Sequence, residues 1–388
     1  MVCAIARTGC VWSAVVDFEF SADQEMLRES VRRFLADKAP ITYVRSAYEN
    51  DAPGLGHDDV WAELRDIGAI GLLVPEAHGG AGMGMVDAAV VLEELGRSLC
   101  PAPYASTAIG AVSLVTAAGA PREHRFLLPG LAEGSTIGTL ALFEAGRRYL
   151  WREPATSARV DGEVWRIDGT KVHVPDGVAA NLFLATARDP DGALGVFALQ
   201  RDDSGLSVEA SPSVDGSRKE STVVLEGARG WRLGSGDSSE AVARTLDKLA
   251  VAHVVDGVGA AQRALELAVE YAKERVQFDK PIGSFQAVQH LCADMLRALE
   301  LGRAAGYYAS WAADDAEPGE AHRAAVMAKA FASDAYAQLG GSAIQVFGGI
   351  GFTWEHDIHL FYKRLLSLSA SLGNSSEHLA ELARIAID

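Results

Sequence analysis

One stretch constrains this chain more than any other, and it runs from Leu246 to Met295. From Leu249, apolar or small residues recur at Ala252, Val254, Val255, Val258, Ala261, Leu265, Ala268 and Ala272. That three-to-four spacing predicts a helix with one face in a core. Pro281 and Gly283 are read as its stop, and Ser284 as the N-cap of a second helix through Gln286, Ala287, Val288 and Gln289. Asp256 stands among apolar neighbours, between Val255 and Gly257. Mid-helix Asp costs about 0.5–0.7 kcal/mol relative to Ala, and an unpaired buried carboxylate costs more. Either the fold or the chemistry must hold it.

A chain of 388 residues with 49% hydrophobic and 22% charged residues suffices for two or three domains with real cores. The net charge of -17 argues against a nucleic-acid footprint. A polyanionic ligand would need locally concentrated Arg and Lys. Cys3, Cys10, Cys100 and Cys292 show no metal spacing and read as the reduced thiols of a cytoplasmic protein. Residues 1–16, apolar but interrupted by Arg7, read as a tail or as a start codon placed too early. No uninterrupted apolar run reaches membrane length.

Three regions follow from the periodicity. Residues 17–130 are helical, opening with a capping-box pattern at Ser21-Ala22-Asp23-Gln24 ahead of Met26, Leu27, Val31, Phe34 and Leu35. Residues 131–238 change to a period of two, with strands expected over 136–143, 159–167, 182–187, 194–199 and 221–225. Residues 239–388 return to long helices, consistent with an antiparallel four-helix bundle.

Three motifs, in order, resemble the acyl-CoA dehydrogenase family. The first is Gly71-Leu72-Leu73-Val74-Pro75-Glu76, with Gly79-Gly80 and Leu92-Glu93-Glu94-Leu95-Gly96-Arg97 after it. The second is Arg275-Val276-Gln277-Phe278, followed by Gln286 and Ala293-Asp294-Met295. The third is Gln345-Val346-Phe347-Gly348-Gly349-Ile350-Gly351-Phe352-Thr353. The resemblance covers the chain from about Phe18 to its end. It implies an α+β fold with an N-terminal helical domain, a middle β domain and a C-terminal four-helix bundle. The implied activity is FAD-dependent α,β-dehydrogenation of an acyl-CoA thioester, in a cytoplasmic flavoprotein of lipid metabolism. An electron-transfer flavoprotein or equivalent would accept the electrons. The reaction needs a base at the α-carbon, hydrogen bonds to the developing enolate and an electron sink, and no side chain accepts a hydride.

By the resemblance, Arg275 pairs with the FAD pyrophosphate, Phe278 and Gln286 touch the cofactor, and Gln345, Gly348 and Gly349 let backbone approach it closely. Guanidinium on pyrophosphate, with side-chain-free glycines beside it, makes physical sense. In the family these residues reach the flavin of a partner subunit. A homo- or heterotetramer, or at least a dimer, is therefore implied, with a paralogous chain as one candidate partner. The other reading makes Arg275 a helix C-terminal charge and Gly348-Gly349 a helix break.

The flavin's face departs from the family. Phe143-Glu144-Ala145-Gly146 stands for Thr-Glu-Pro-Gly, and His173-Val174-Pro175 for Trp-Ile-Thr. Pro175 offers neither hydroxyl nor N–H. His173 reads either as a partner for a thioester carbonyl or as an ordinary hydrogen-bonded strand residue. Aligning the family's Tyr-Arg-Asp-Ala-Arg with Tyr362-Lys363-Arg364-Leu365-Leu366 puts Leu372 where most members carry the catalytic Glu.

A minority of the family place a Glu on the preceding long helix, and members resembling this chain in steroid side-chain breakdown carry it before a glycine. Asp256 takes that place, about 1.5 Å shorter in reach, as the candidate catalytic base. The alternative is a satisfied core carboxylate paired with His253; Gly257 and Gly259 beside it suggest room for a ligand. Three functions stay open. The chain is a dehydrogenase for a bulky or branched acyl group, or a catalytically silent subunit of a heteromeric dehydrogenase. Or it is a related flavin oxidase or monooxygenase.

Overall fold

The computed structural model describes residues 20–49, 59–146 and 150–387. The tail expected over 1–16 and the basic pair Arg147-Arg148 lie outside them. The fold is α+β, with helices before and after a central sheet.

The N-terminal helices are α1 (Ala22–Lys38), α2 (Ile41–Glu49), α3 (Asp59–Asp66), α4 (Met85–Arg97), α5 (Val112–Ala118) and α6 (Pro121–Ala132). Ser21 caps α1 as its sequence predicts, accepting from Gln24 N while the Gln24 side chain accepts from Ser21 N. A π-helical stretch, Ala105–Ala111, runs directly into α5. The charged motif on α4 is architectural. Glu93 accepts from Arg303 and from Tyr307 at 2.7 Å, Glu94 from Arg32 at 2.6 and 2.9 Å, and Arg97 forks onto Glu266 at 2.6 and 2.7 Å.

The central strands are β1 (Gly138–Ala141), β2 (Ser157–Asp161), β3 (Val164–Pro175), β4 (Leu182–Arg188), β5 (Leu194–Gln200), β6 (Leu206–Ser211) and β7 (Glu220–Arg232). β2, β3, β7, β5 and β4 pair in turn and close back on β2; β1 adds to β4 and β6 to β7. The expected strand at 159–167 is a hairpin turned by Gly162-Glu163, and β6 went unpredicted because its exposed residues blur the alternation. The register slips between Lys171 and Val174, a bulge that leaves His173 at φ 52° and turns it outward.

The C-terminal helices are α7 (Ser239–Glu274), α8 (Gln286–Asp315), α9 (Pro318–Phe347), α10 (Ile358–Ala370) and α11 (Ser375–Ile387). α7 ends before the expected stop, because a two-stranded ribbon, β8 (Val276–Gln277) and β9 (Lys280–Pro281), turns through Phe278 and Asp279, both at positive φ. Ser284 does not cap α8: Phe285 holds that position, and the Ser284 hydroxyl donates to Pro281 O at 2.8 Å. Among the described residues no helix is long and apolar enough to cross a membrane.

α4 and α7 pack at backbone contact. A Cβ at Gly96 would collide with the Asp256 carbonyl, and one at Gly259 with the Glu93 carbonyl. One at Gly257 would meet the Tyr336 ring. The space expected beside Gly257 and Gly259 for a ligand is therefore taken by the protein itself.

Candidate functional site

A cavity of about 410 Å³ lies where the end of β3, the π-helical stretch, α7 and the loop after α10 converge. From the sheet come Phe143, His173 and Pro175; from α7, Leu246, Leu249 and His253; from the loop, Leu372. Leu372, at φ 58°, faces the cavity from the position where the family carries its Glu.

Asp256 does not line this cavity. Its side chain is sealed in the core, where Arg364 Nη1 donates to both carboxylate oxygens at 2.9 and 3.3 Å and Arg218 Nη2 donates to Oδ2. Burial opposes ionisation, and the two guanidinium charges overcome it, so the pKa lies below the usual carboxylate value. A carboxylate gripped twice and held ionised is a weaker proton acceptor, and Asp256, expected as the base, sits in an ion-pair cluster away from the cavity. The expected pairing with His253 is corrected: His253 Nδ1 meets Ser371 Oγ at 3.0 Å.

Arg364 organises the cluster. Its Nε donates to Asp215 at 2.5 Å and its Nη2 to Ser217 Oγ at 2.7 Å and Leu99 O at 3.3 Å. Tyr48 and Ser217 also donate to Asp215, at 2.7 and 2.5 Å. One buried guanidinium thus joins α2, the turn after α4, the β6–β7 connection, α7 and α10. Sequence reading missed Arg364, Arg218 and Asp215. The available signal was the charge reversal at Arg364, where the family motif carries Asp, because a buried cation demands carboxylates elsewhere.

Two acids do line the cavity. Glu220 is occupied by His173 Nδ1 at 2.7 Å, and the His173 ring is largely exposed. Asp176 accepts from Ser106 Oγ at 2.6 Å, and burial raises its pKa. Glu144, at the family's Thr-Glu-Pro-Gly position, is spent structurally. Hydrogen bonds from Lys171 at 2.8 Å and from Thr156 outweigh its burial and hold it at about 2.

The residues expected to touch the flavin lie outside this cavity. Arg275, Phe278, Gln286, Gln345 and Gly349 are exposed, and Gly348 is partly so. Phe278 keeps 87% of its surface and rests edge-on against Phe285, with ring centroids 6.1 Å apart. Phe352 and Trp354 are also exposed, at 75% and 60%. Among the described residues Arg275 has no ion pair. Gly348 needs its positive φ of 66° to end α9, whereas a Cβ on Gly349 would meet nothing in this chain. A guanidinium without an ion pair among the described residues, two exposed amides and a glycine with open space have the chemistry to fit a dinucleotide diphosphate.

Family models for the acyl-CoA dehydrogenase N-terminal and C-terminal domains match residues 21–135 and 239–387. Acyl-CoA dehydrogenase IpdE2 of Mycolicibacterium smegmatis is 32% identical, over 93% of this chain and 98% of its own. Acyl-CoA dehydrogenase FadE34 of Mycobacterium tuberculosis is 33% identical over 96% of this chain, which spans 48% of that relative. Among solved structures, the Tcur3481-Tcur3483 steroid ACAD superposes with a TM-score of 0.84 at 32% identity, over 94% of this chain and 98% of that one. The ChsE4-ChsE5 complex of Mycobacterium tuberculosis gives a TM-score of 0.87 at 25% identity, over 96% and 99%.

Proposed function

The chain belongs to the acyl-CoA dehydrogenase family, and on that premise we propose that it is the supporting subunit of a heteromeric enzyme for bulky, steroid-type acyl-CoA thioesters. It is an enzyme of the acyl-CoA dehydrogenase type, and its cofactor is FAD, which supplies the hydride acceptor when bound. The observation that carries the proposal is the double loss of the base: Leu372 occupies the loop position, and Asp256 is locked between Arg364 and Arg218. The proton at the substrate α-carbon then has no acceptor from either family position in this cavity.

What remains serves a neighbour. Arg275 offers two parallel N–H donors to a diphosphate, Gln286 and Gln345 orient it, and Phe278 and Gly349 shape and clear its approach. Exposed Phe278, Phe352 and Trp354 would become buried when a partner docks, and hydrophobic burial of such rings stabilises association. The steroid ACAD relative and the ChsE4-ChsE5 complex, each named for two proteins, support a heteromeric arrangement. The leucine-lined cavity suits an apolar, bulky acyl group.

A second reading has one observation behind it. Asp176 is a cavity-lining carboxylate with a raised pKa and, among the described residues, no cation within hydrogen-bond reach, so it could take a proton if an α-carbon reached it. Anaerobic bleaching of the flavin separates the two. The FAD-reconstituted chain, mixed with a panel of acyl-CoA thioesters, is expected not to bleach, whereas Leu372→Glu gains bleaching by about 100-fold or more. Bleaching by the wild-type chain alone that vanishes in Asp176→Asn would overturn the supporting-subunit reading and make this cavity the catalytic one.

A further inference from the structure

His253 sits on α7 one turn before Asp256 and faces the opposite fate: its ring borders the cavity. Among the cavity-lining residues of α7, α10 and the loop after α10, it is the only titratable group. The rest of that wall is largely leucine, from Leu246, Leu249, Leu366 and Leu368. Nδ1 is engaged by the Ser371 hydroxyl at 3.0 Å, while Nε2 has no partner among the described residues and is not sealed from access.

Burial and the nearby positive charges of Lys329 and Arg218 push the His253 pKa down to about 3, so the ring is neutral at physiological pH. A ring that resists protonation this strongly cannot serve as the α-proton acceptor. It is suited to hydrogen bonding. The Ser371 hydroxyl lies 3.0 Å from Nδ1 and 3.5 Å from Leu368 O, and donating its proton along the shorter contact leaves the ring proton on Nε2, a donor on a cavity-lining residue. An N–H in a hydrocarbon wall loses its water when a ligand fills the cavity, so a purely hydrocarbon acyl group leaves it unsatisfied.

We propose that His253 is a specificity-determining residue whose Nε2–H hydrogen-bonds an oxygen on the acyl group itself, a keto or hydroxyl group remote from the thioester. Ser371 is its positioning residue, fixing the tautomer. This deepens the reading above and rests on the cavity being the acyl site. A site that hydrogen-bonds a ligand oxygen discriminates against the analogue lacking it, because the protein group is then left unpaired.

The test measures equilibrium binding, by flavin spectral perturbation or calorimetry, so it needs no turnover. The probes are 3-cyclohexylpropanoyl-CoA and 3-(4-oxocyclohexyl)propanoyl-CoA, matched except for one ketone. The FAD-reconstituted wild type is expected to prefer the keto compound by about tenfold, the size of one neutral hydrogen bond. His253→Leu removes the preference by weakening the keto compound alone, and His253→Gln retains part of it. Ser371→Ala, which removes only a hydroxyl from the cavity lining, reduces the preference and carries the test if His253→Leu does not fold. Equal loss for both probes in His253→Leu would place Nε2 on the shared thioester oxygen and overturn the proposal, as would a wild type without preference. Binding of neither probe would overturn the acyl-site reading itself, and the proposal with it.

Discussion

Arg364 and Arg275 sit on the same kind of scaffold and meet opposite fates. Arg364 is wholly buried, with every guanidinium nitrogen bonded to Asp215, Asp256, Ser217 or Leu99 O. Arg275 is exposed at the end of α7, beside Phe278 with 87% of its surface accessible. A charge in the core must be matched within the chain, since low-dielectric surroundings make an unmatched one prohibitive. A charge on the surface can wait for a partner at little cost. A side chain that the chain leaves unsatisfied is therefore open to an intermolecular ligand, and a carboxylate satisfied twice over is evidence for architecture.

The comparison breaks first, if it breaks, at Asp256. Asp256→Ala strips Arg364 and Arg218 of a shared counter-ion and is expected to cost about 3–5 kcal/mol in denaturant unfolding. A variant that kept wild-type stability while abolishing flavin bleaching would return Asp256 to catalysis. At the other pole, Arg275→Gln is expected to weaken FAD binding to the assembled enzyme by about 10- to 100-fold, the scale of a charge-assisted hydrogen bond. The unfolding midpoint of the FAD-free chain should stay unchanged, because among the described residues no ion pair of Arg275 is lost.

His322 lies between the poles and gives the smallest effect. Its Nδ1 meets both Asp247 oxygens at 2.9 Å and its Nε2 meets Glu381 at 3.2 Å, tying α9 to α7 and α11. The bond to Asp247, against some desolvation, raises its pKa from 6.5 to about 9. A folded-state pKa above the unfolded one means the stabilisation is complete below about pH 6.5 and is lost as pH rises through about 9. The site is part-exposed, so screening keeps the contribution within about 1 kcal/mol. Unfolding between pH 6 and 10 should show this decline in the wild type and a flatter profile in His322→Gln.

Much of this was legible beforehand. The α1 capping box, the long α7 and the central strands follow from local patterning, and the three motifs placed the chain in its family. The misses share a cause. Ser284 has the residue type of a cap, but the β8–β9 ribbon shifts the helix start by one residue. The glycines at 257 and 259 were read as room for a ligand, whereas Tyr336 and α4 fill that room. Each error concerns what lies across the gap, which sequence periodicity does not report.

Sequence by itself determined the family the chain belongs to, that Leu372 cannot serve as a base, and that Asp256 needed a reason to be inside a helix. Only the tertiary structure decided what that reason was. Arg364 lies 108 positions from Asp256 and Arg218 lies 38, so their pairing depends on how α10 and the β6–β7 connection close over α7. Local propensity acts over a few residues. The partner of a buried charge is set by packing across the whole chain.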